Sequence, residues 1–491
     1  MAGKRKPSKK YALISVFDKT GVVDFARTLE SLGYRIISTG GTANALTDAG
    51  LIVTPIQDVT GNPESFDGRM KTISFQIEGG ILYDRKNPKH IKEARALLIK
   101  PIDIVAANLY PFEQTVSNPK VKLEEAIENI DVGGPTMIRA AAKNHKNVLV
   151  ITDPKDYVLI SDVLSKKKTD DKLRLRLAAK AFRHLSFYDS QVASFLGKDE
   201  KEFPEELAVP GIKTIDLRYG ENPHQKASVY FEPNTNSPLA KLTKITGRDL
   251  SATNFTDIFA GLESIRVFKE PSAVVIKHNS PSGIALGKLQ SEALKLAKVE
   301  MMQAVPYIKK EAVDFIKSVR KSTGIYIFGK IPNKRSNKKH LRFFDGGFIM
   351  QDWDEVDEKN FKNWKIVTKK KPTLKQLSQM KIAWKFIGRI KSNTIIVVDK
   401  NLPMTRGIGS GQTSRVRSAK IALEQAGKFA RGGILASDSF FPFDDSVRLA
   451  SKFGISTIIQ QGGSVNDKAS IDAANEFGIP MVMTGERKFW H

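Results

Sequence analysis

"YALISVFDKTGVVDFARTLESLGYRIISTGGTANALTDAG", residues 11–50, decides how the first part of the chain is read. "YALISV" is a short apolar run suited to a buried strand. "TGVVDFARTLESLG" then spaces Val22, Phe25, Ala26, Leu29 and Leu32 along one helical face. "YRIIST" is the next strand, and "GGTANALTDAG" opens on a glycine turn, becomes a helix and stops at Gly50. Strand–helix alternation at this spacing predicts a parallel sheet covered by helices on both faces.

Further along, "DIVAANLYPF" and "NVLVIT" continue the strand series to about residue 160. Residues 197–212, "GKDEKEFPEELAVPGI", are acidic, hold two prolines and lack helical periodicity. The domain boundary is expected there, giving domains at 1–198 and 213–491 joined by a linker at 199–212. The last hundred residues alternate again, from "TIIVVD" to "IPMVMT", so the second part also reads as α/β, in two subdomains.

Lys and Arg number 78 against 53 Asp and Glu, a formal net charge of +25 over 491 residues. Such an excess suits anionic partners such as nucleotides or polyglutamylated cofactors. The basic runs, densest at 317–342, lack regularly interleaved aromatics and read as solvated faces, so nucleic acid is not an expected partner. No apolar run approaches the roughly 18 residues that suggest a membrane span. The chain contains no cysteine, which removes disulfides, thiol nucleophiles and cysteine-based zinc sites. A cytoplasmic protein is expected.

Two glycine turns follow strands. In "STGGT", Ser38, Gly40, Gly41 and Thr42 offer backbone N–H groups at a helix start, a phosphate cradle; a plain tight turn is the alternative. "GIGSGQTSR", residues 407–415, reads as the same device with Arg415 added. It lacks the third glycine of the dinucleotide fingerprint, Gln412 standing there. "NLYPF", "NIDVGG" and "RAAAKNH" put Tyr110 at a strand end, Asp131 on a glycine loop and Lys143 on a helix. With Lys71 of "GRMKT" they supply groups able to move protons and hold an oxyanion. "IKHNSPSG", residues 276–283, sets Lys277 and His278 at a strand end before a run of turn formers.

These motifs, in this order, resemble the bifunctional purine-biosynthesis family that joins AICAR transformylase to IMP cyclohydrolase, AICAR being the aminoimidazole carboxamide ribonucleotide. The resemblance runs over nearly the whole chain, through "ISVFDKTG", "LRYGENPHQ", "KSN", "SDSFFPF" and the terminal "RKFWH" as well. It implies a methylglyoxal-synthase-like doubly wound domain, then two cytidine-deaminase-like α/β subdomains. It also implies formyl transfer from 10-formyltetrahydrofolate to AICAR, closure of formyl-AICAR to IMP, no metal requirement, and a homodimer with transformylase sites shared between chains.

The implied roles fall on matching positions. In the transformylase, His278 shuttles a proton, Lys277 supplies a cation and Asn393 orients the formyl group or folate. Arg218 and Arg487 hold the AICAR phosphate, and Arg415, Phe441 and Asp445 line the nucleotide and folate site. In the cyclohydrolase, Ser15 and the 38–42 turn hold phosphate, while Lys71, Tyr110, Asp131 and Lys143 handle oxyanion and protons. Two departures stand out. Ser74 and Glu78 replace family histidines after Lys71, and the acidic D-P-x-S-A-F-G-G segment expected after residue 283 is missing from a shortened interval. Glu292, Glu300 and Glu311 are the acidic candidates to replace it. An altered or inactive transformylase is therefore one alternative, and a basic nucleotide- or RNA-binding protein without activity is another.

Overall fold

The computed structural model describes residues 10–66, 69–118, 120–200, 202–297, 303–305, 310, 313–314, 318, 325–328, 331–332, 339–344 and 346–491. Glu300 and Glu311 lie outside the described residues. Two compact units are present: residues up to 212 with 231–234, and residues 213–230 with 235–491.

The first unit is a five-stranded parallel sheet of β1 (Lys10–Val16), β2 (Tyr34–Ser38), β3 (Val53–Pro55), β4 (Ile102–Asn108) and β5 (Leu149–Ile151). Its order is β3-β2-β1-β4-β5. Strands progress outward in both directions from β1 and β4, so the switch point lies between those two, where doubly wound sheets bind ligands at the carboxyl ends. The apolar runs read from the sequence fill the core. Leu13, Ile14, Ile37, Ile104 and Val105 are inaccessible, and Val22, Phe25, Ala26 and Leu29 of the helix Val22–Ser31 pack on them.

The second unit centres on a mixed six-stranded sheet. Its strands lie in the order Lys365–Ile366, Met481–Met483, Thr457–Gln460, Ile434–Ser437, Ile395–Val398 and Thr405–Gly409. The helix Arg415–Ala426 packs on the last of these so closely that a Cβ at Gly407 would collide with the carbonyl of Ala422, and one at Gly409 with that of Ser418. The "GIG" of that motif is thus helix–strand packing. This corrects its reading as a second phosphate cradle.

A separate two-stranded hairpin pairs Ser272–Lys277 with Ser280–Leu286, Lys277 opposite Ser280. The turn is therefore only His278–Asn279. The turn formers Ser280 to Gly283 continue as strand, with a register shift between Pro281 and Gly283 that accommodates the proline.

Candidate active site

In the first unit the chemistry gathers at the carboxyl ends of β1, β2 and β4. The helix Gly40–Asp48 starts directly after β2, and Thr39 caps it with extended backbone. Two ammonium groups stand over this turn. Lys71 Nζ lies 3.1 Å from where a Cβ would stand at Gly40, and Lys19 Nζ lies 3.8 Å from the same point at Gly41. The buried hydroxyl of Thr39 has no hydrogen-bond partner among the described residues. Lys71 Nζ also donates to Glu64 Oε1 at 3.0 Å, so the helix N-terminus, Lys19 and the unpaired hydroxyl suit an anion that would share Lys71 with that carboxylate. Ser38 and Thr42 build the turn: the Ser38 hydroxyl donates to Ile14 O at 2.6 Å, and the Thr42 hydroxyl donates to Val16 O at 2.9 Å. Ser15 is half-buried on β1.

Asn108 ends β4 and accepts from the backbone N–H groups of Phe17 and Asp18 at 2.7 and 2.9 Å, fixing the loop that carries Lys19. Tyr110 meets Phe17 edge to face at 4.4 Å between centroids. Asp131 precedes the helix Gly133–Lys143, and its carboxylate accepts from Gly134 N–H at 2.9 Å. Burial raises the Asp131 pKa, while hydrogen bonds from Gly134 and Gly133 hold it down. A Cβ at Gly133 would collide with the Thr72 hydroxyl, so Lys71–Thr72 and the start of this helix are in close approach. The Tyr188 hydroxyl accepts from Asp131 N–H at 2.7 Å and steadies the loop. A cavity of about 830 Å³ borders the site and is lined by Lys19, Asn108, Lys180 and His184 among others. It includes none of Lys71, Tyr110 or Asp131, and the anion turn lies outside it.

In the second unit, His278 and Asn279 form the hairpin tip with φ of 53° and 61°. Both central residues left-handed is the signature of a type I′ turn, and Asn and His are among the few non-glycine residues enriched in that conformation. Asp257, on the helix Ala252–Ile265, accepts from Asn279 N–H at 2.7 Å and seats the tip. Lys277 and His278 are both exposed. The start of that same helix is joined to the Arg218 loop, since Arg218 N–H donates to Leu250 O and Ala252 N–H to Tyr219 O. The Arg218 guanidinium lies over the Tyr219 ring at 4.7 Å.

From the hairpin a line of contacts crosses the unit. Ser280 Oγ is 3.4 Å from Ser410 Oγ, and Asn393 donates to Gln412 O at 3.0 Å. Arg415 Nη2 donates to both Asn393 Oδ1 and Asp438 Oδ1, each at 2.9 Å. Asp438 is fully buried and also accepts from Thr394 N–H, so the ion pair is hydrogen-bonded on both carboxylate oxygens. The C-terminal segment docks by Lys488 N–H to Asp438 O and by Ser392 N–H to Trp490 O. Arg487 lies exposed over the Phe489 ring at 4.5 Å, and Arg415 is 6.0 Å from the same ring.

Comparison with known proteins accords with this arrangement. The model of the AICARFT/IMPCHase bienzyme family matches residues 141–300 and 292–425, and that of the MGS-like domain matches 21–136. The chain belongs to the AICARFT/IMPCHase bienzyme family. A "Bifunctional purine biosynthesis protein PurH" from Thermoanaerobacter sp. (strain X514) is 42% identical over 516 residues, covering 98% of this chain and 100% of that protein. One of the same name from Persephonella marina is 43% identical over 521 residues, covering 98% and 99%. A solved structure titled "Crystal structure of ForH" is 36% identical, covers 39% of this chain and 100% of its own, and has a TM-score of 0.35.

Lys71 stands over the anion turn and Arg415 bonds Asn393, while other residues expected from the motifs lie elsewhere. Lys143 closes the far end of the helix that starts at Gly133, some 15 Å along its axis at about 1.5 Å per residue. It is exposed there, away from Asp131 and the anion turn of the same chain. Phe441 is a core residue rather than a lining one, fully buried among Val447, Ile458 and Ala473. Asp445 begins the helix Asp445–Lys452 and accepts from Ser446 N–H at 2.6 Å. Reading the motifs missed Lys19, Asn108, Thr72 and Tyr188 in the first unit, and Asp257 and Asp438 in the second. Lys19, Asn108, Thr72 and Asp438 sit inside quoted motifs and were legible as candidates. Tyr188 and Asp257 act through pairing across tens of residues, which no local pattern carries.

Proposed function

We propose that this chain catalyses two successive steps of purine biosynthesis, formyl transfer to AICAR and ring closure of formyl-AICAR to IMP. The observation that carries the reading is end-to-end family membership with both sets of reactive groups retained. 10-Formyltetrahydrofolate is the co-substrate and leaves as tetrahydrofolate. The AICAR amine is a poor nucleophile, because its lone pair is delocalised into the imidazole and carboxamide. His278 takes its proton as the nitrogen attacks the formyl carbon, the general-base role that imidazole side chains most often fill. Lys277 supplies positive charge to the formyl oxygen. Asn393, oriented by Arg415, positions the formyl donor, while Arg218 and Arg487 bind the nucleotide phosphate.

Ring closure belongs to the first unit. The turn at 38–42, with Lys71 and Lys19, holds the phosphate. The carboxamide nitrogen attacks the formyl carbon of the same molecule, and water leaves. Orientation supplies much of the acceleration in an intramolecular attack. Lys71 and Tyr110 stabilise the oxyanion and Asp131 moves the proton. A homodimer is the proposed working form, in which Lys143 would serve the site of a second copy. The domain limits 1–198 and 213–491 are the proposed division of the two activities.

One observation favours a second reading, ring closure with an altered transformylase. The alignments to relatives run over 516 and 521 residues against the 491 of this chain, so at least about 25 aligned positions have no counterpart here. The family match is also split into two segments that overlap at 292–300, within the shortened interval. His278→Ala separates the readings. It is expected to lower transformylation by about 10²–10⁴-fold while cyclisation of supplied formyl-AICAR continues. A variant with wild-type transformylation refutes the role of His278.

A further inference from the structure

Asn279 stands one residue beyond His278 at the hairpin tip, and the turn gives it a fixed direction. Its backbone N–H is held by Asp257 at 2.7 Å, and its φ of 61° is the second left-handed position of the type I′ turn. Its carboxamide oxygen is shut off from solvent yet has no hydrogen-bond partner among the described residues. The nearby carboxylate of Asp257 is itself an acceptor and cannot supply the missing hydrogen. Buried acceptors are nearly always paired, and an unpaired one calls for an explanation.

We infer that Asn279 Oδ1 is an acceptor for an N–H group of AICAR and sets specificity for it. The inference rests on the transformylase reading of the hairpin. AICAR carries its amine and its carboxamide on adjacent ring carbons, and both are N–H donors. When the amine faces His278, the neighbouring carboxamide NH₂ falls toward the next residue of the turn, which is Asn279. A compound offering only acceptors there leaves the Asn279 oxygen unpaired, and pockets built around a buried polar group reject such compounds strongly. The hairpin thus presents the proton shuttle and the specificity contact from consecutive residues, its tip seated by Asp257 through the Asn279 N–H.

Two substitutions separate this role from a structural one. Asn279→Gly removes the carboxamide and tolerates the left-handed backbone at least as well as asparagine. Asn279→Asp keeps an acceptor in the same position. With full-length protein, AICAR Kd by calorimetry and AICAR KM by steady-state kinetics are both measured. Asn279→Gly is expected to weaken both about tenfold or more, with a much smaller effect on kcat, and Asn279→Asp to recover most of that loss. A purely structural turn predicts that glycine is harmless, so unchanged AICAR affinity in Asn279→Gly overturns the inference. Equal losses in the two variants also overturn it. Should wild type bind AICAR with this pattern of affinities yet transfer no formyl group, the activity reading fails and the acceptor role stands.

Discussion

Glu78 sits on the helix Phe75–Leu82 with both carboxylate oxygens shut off from solvent and no hydrogen-bond partner among the described residues. Burial alone pushes its pKa from an ordinary 4.5 up to about 7. Between those values the folded state holds a proton that the unfolded state releases, so stability falls as pH rises through that window. Above about pH 7 the full cost of a buried charge is felt. Glu78→Gln is therefore expected to have little effect on Tm at pH 4.5 and to raise it at pH 8. After a heavy discount for partial exposure the gain is about 1 kcal/mol, or 2–4 °C. Melting curves at the two pH values check this, and an equal shift at both would deny the linkage. The replacement of a family histidine was legible in the sequence. Its burial without a partner was not, because that depends on how the helix packs.

The two glycine-rich elements show where local pattern sufficed and where it misled. "STGGT" follows a strand and opens a helix, and the structure adds two ammonium groups and an unpaired hydroxyl to that turn. "GIGSGQTSR" is likewise rich in Gly, Ser and Thr, yet Gly407 and Gly409 lie within the strand Thr405–Gly409, against the helix Arg415–Ala426. The sequence could not separate a glycine that frees backbone N–H groups from one that admits a neighbouring helix, because both need only a missing Cβ. Gly409→Ala is expected to destabilise the second unit by about 1–3 kcal/mol through overpacking. It is also expected to weaken transformylation beyond that loss, since Arg415 begins the displaced helix and orients Asn393. Denaturant unfolding alongside the formyl-transfer rate checks both. Undiminished stability would place the Ser418 carbonyl farther away than the structure has it. The hairpin carries a similar lesson: Ser280 to Gly283 looked like turn, but the strand pairing absorbs them and leaves His278 and Asn279 alone at the tip.

At the scale of the whole molecule, alternating strand and helix signals predicted α/β structure on both sides of an acidic segment, and each unit has a hydrophobic core of its own. Doubly wound topology was legible because parallel strands buried on both faces are nearly continuous apolar runs. The order of the strands was not written locally, nor was the separation of Lys143 from Asp131 along one helix. The central claim is that one chain carries AICAR to IMP through formyl-AICAR, with a different unit responsible for each step. Its most direct test supplies purified full-length protein with AICAR and 10-formyltetrahydrofolate and follows formyl-AICAR and IMP by chromatography. Wild type is predicted to yield IMP, Lys71→Ala to accumulate formyl-AICAR, and His278→Ala to yield neither product at more than about a hundredth of the wild-type rate. Folded wild-type protein that converts supplied formyl-AICAR to IMP but forms none from AICAR would contradict the claim.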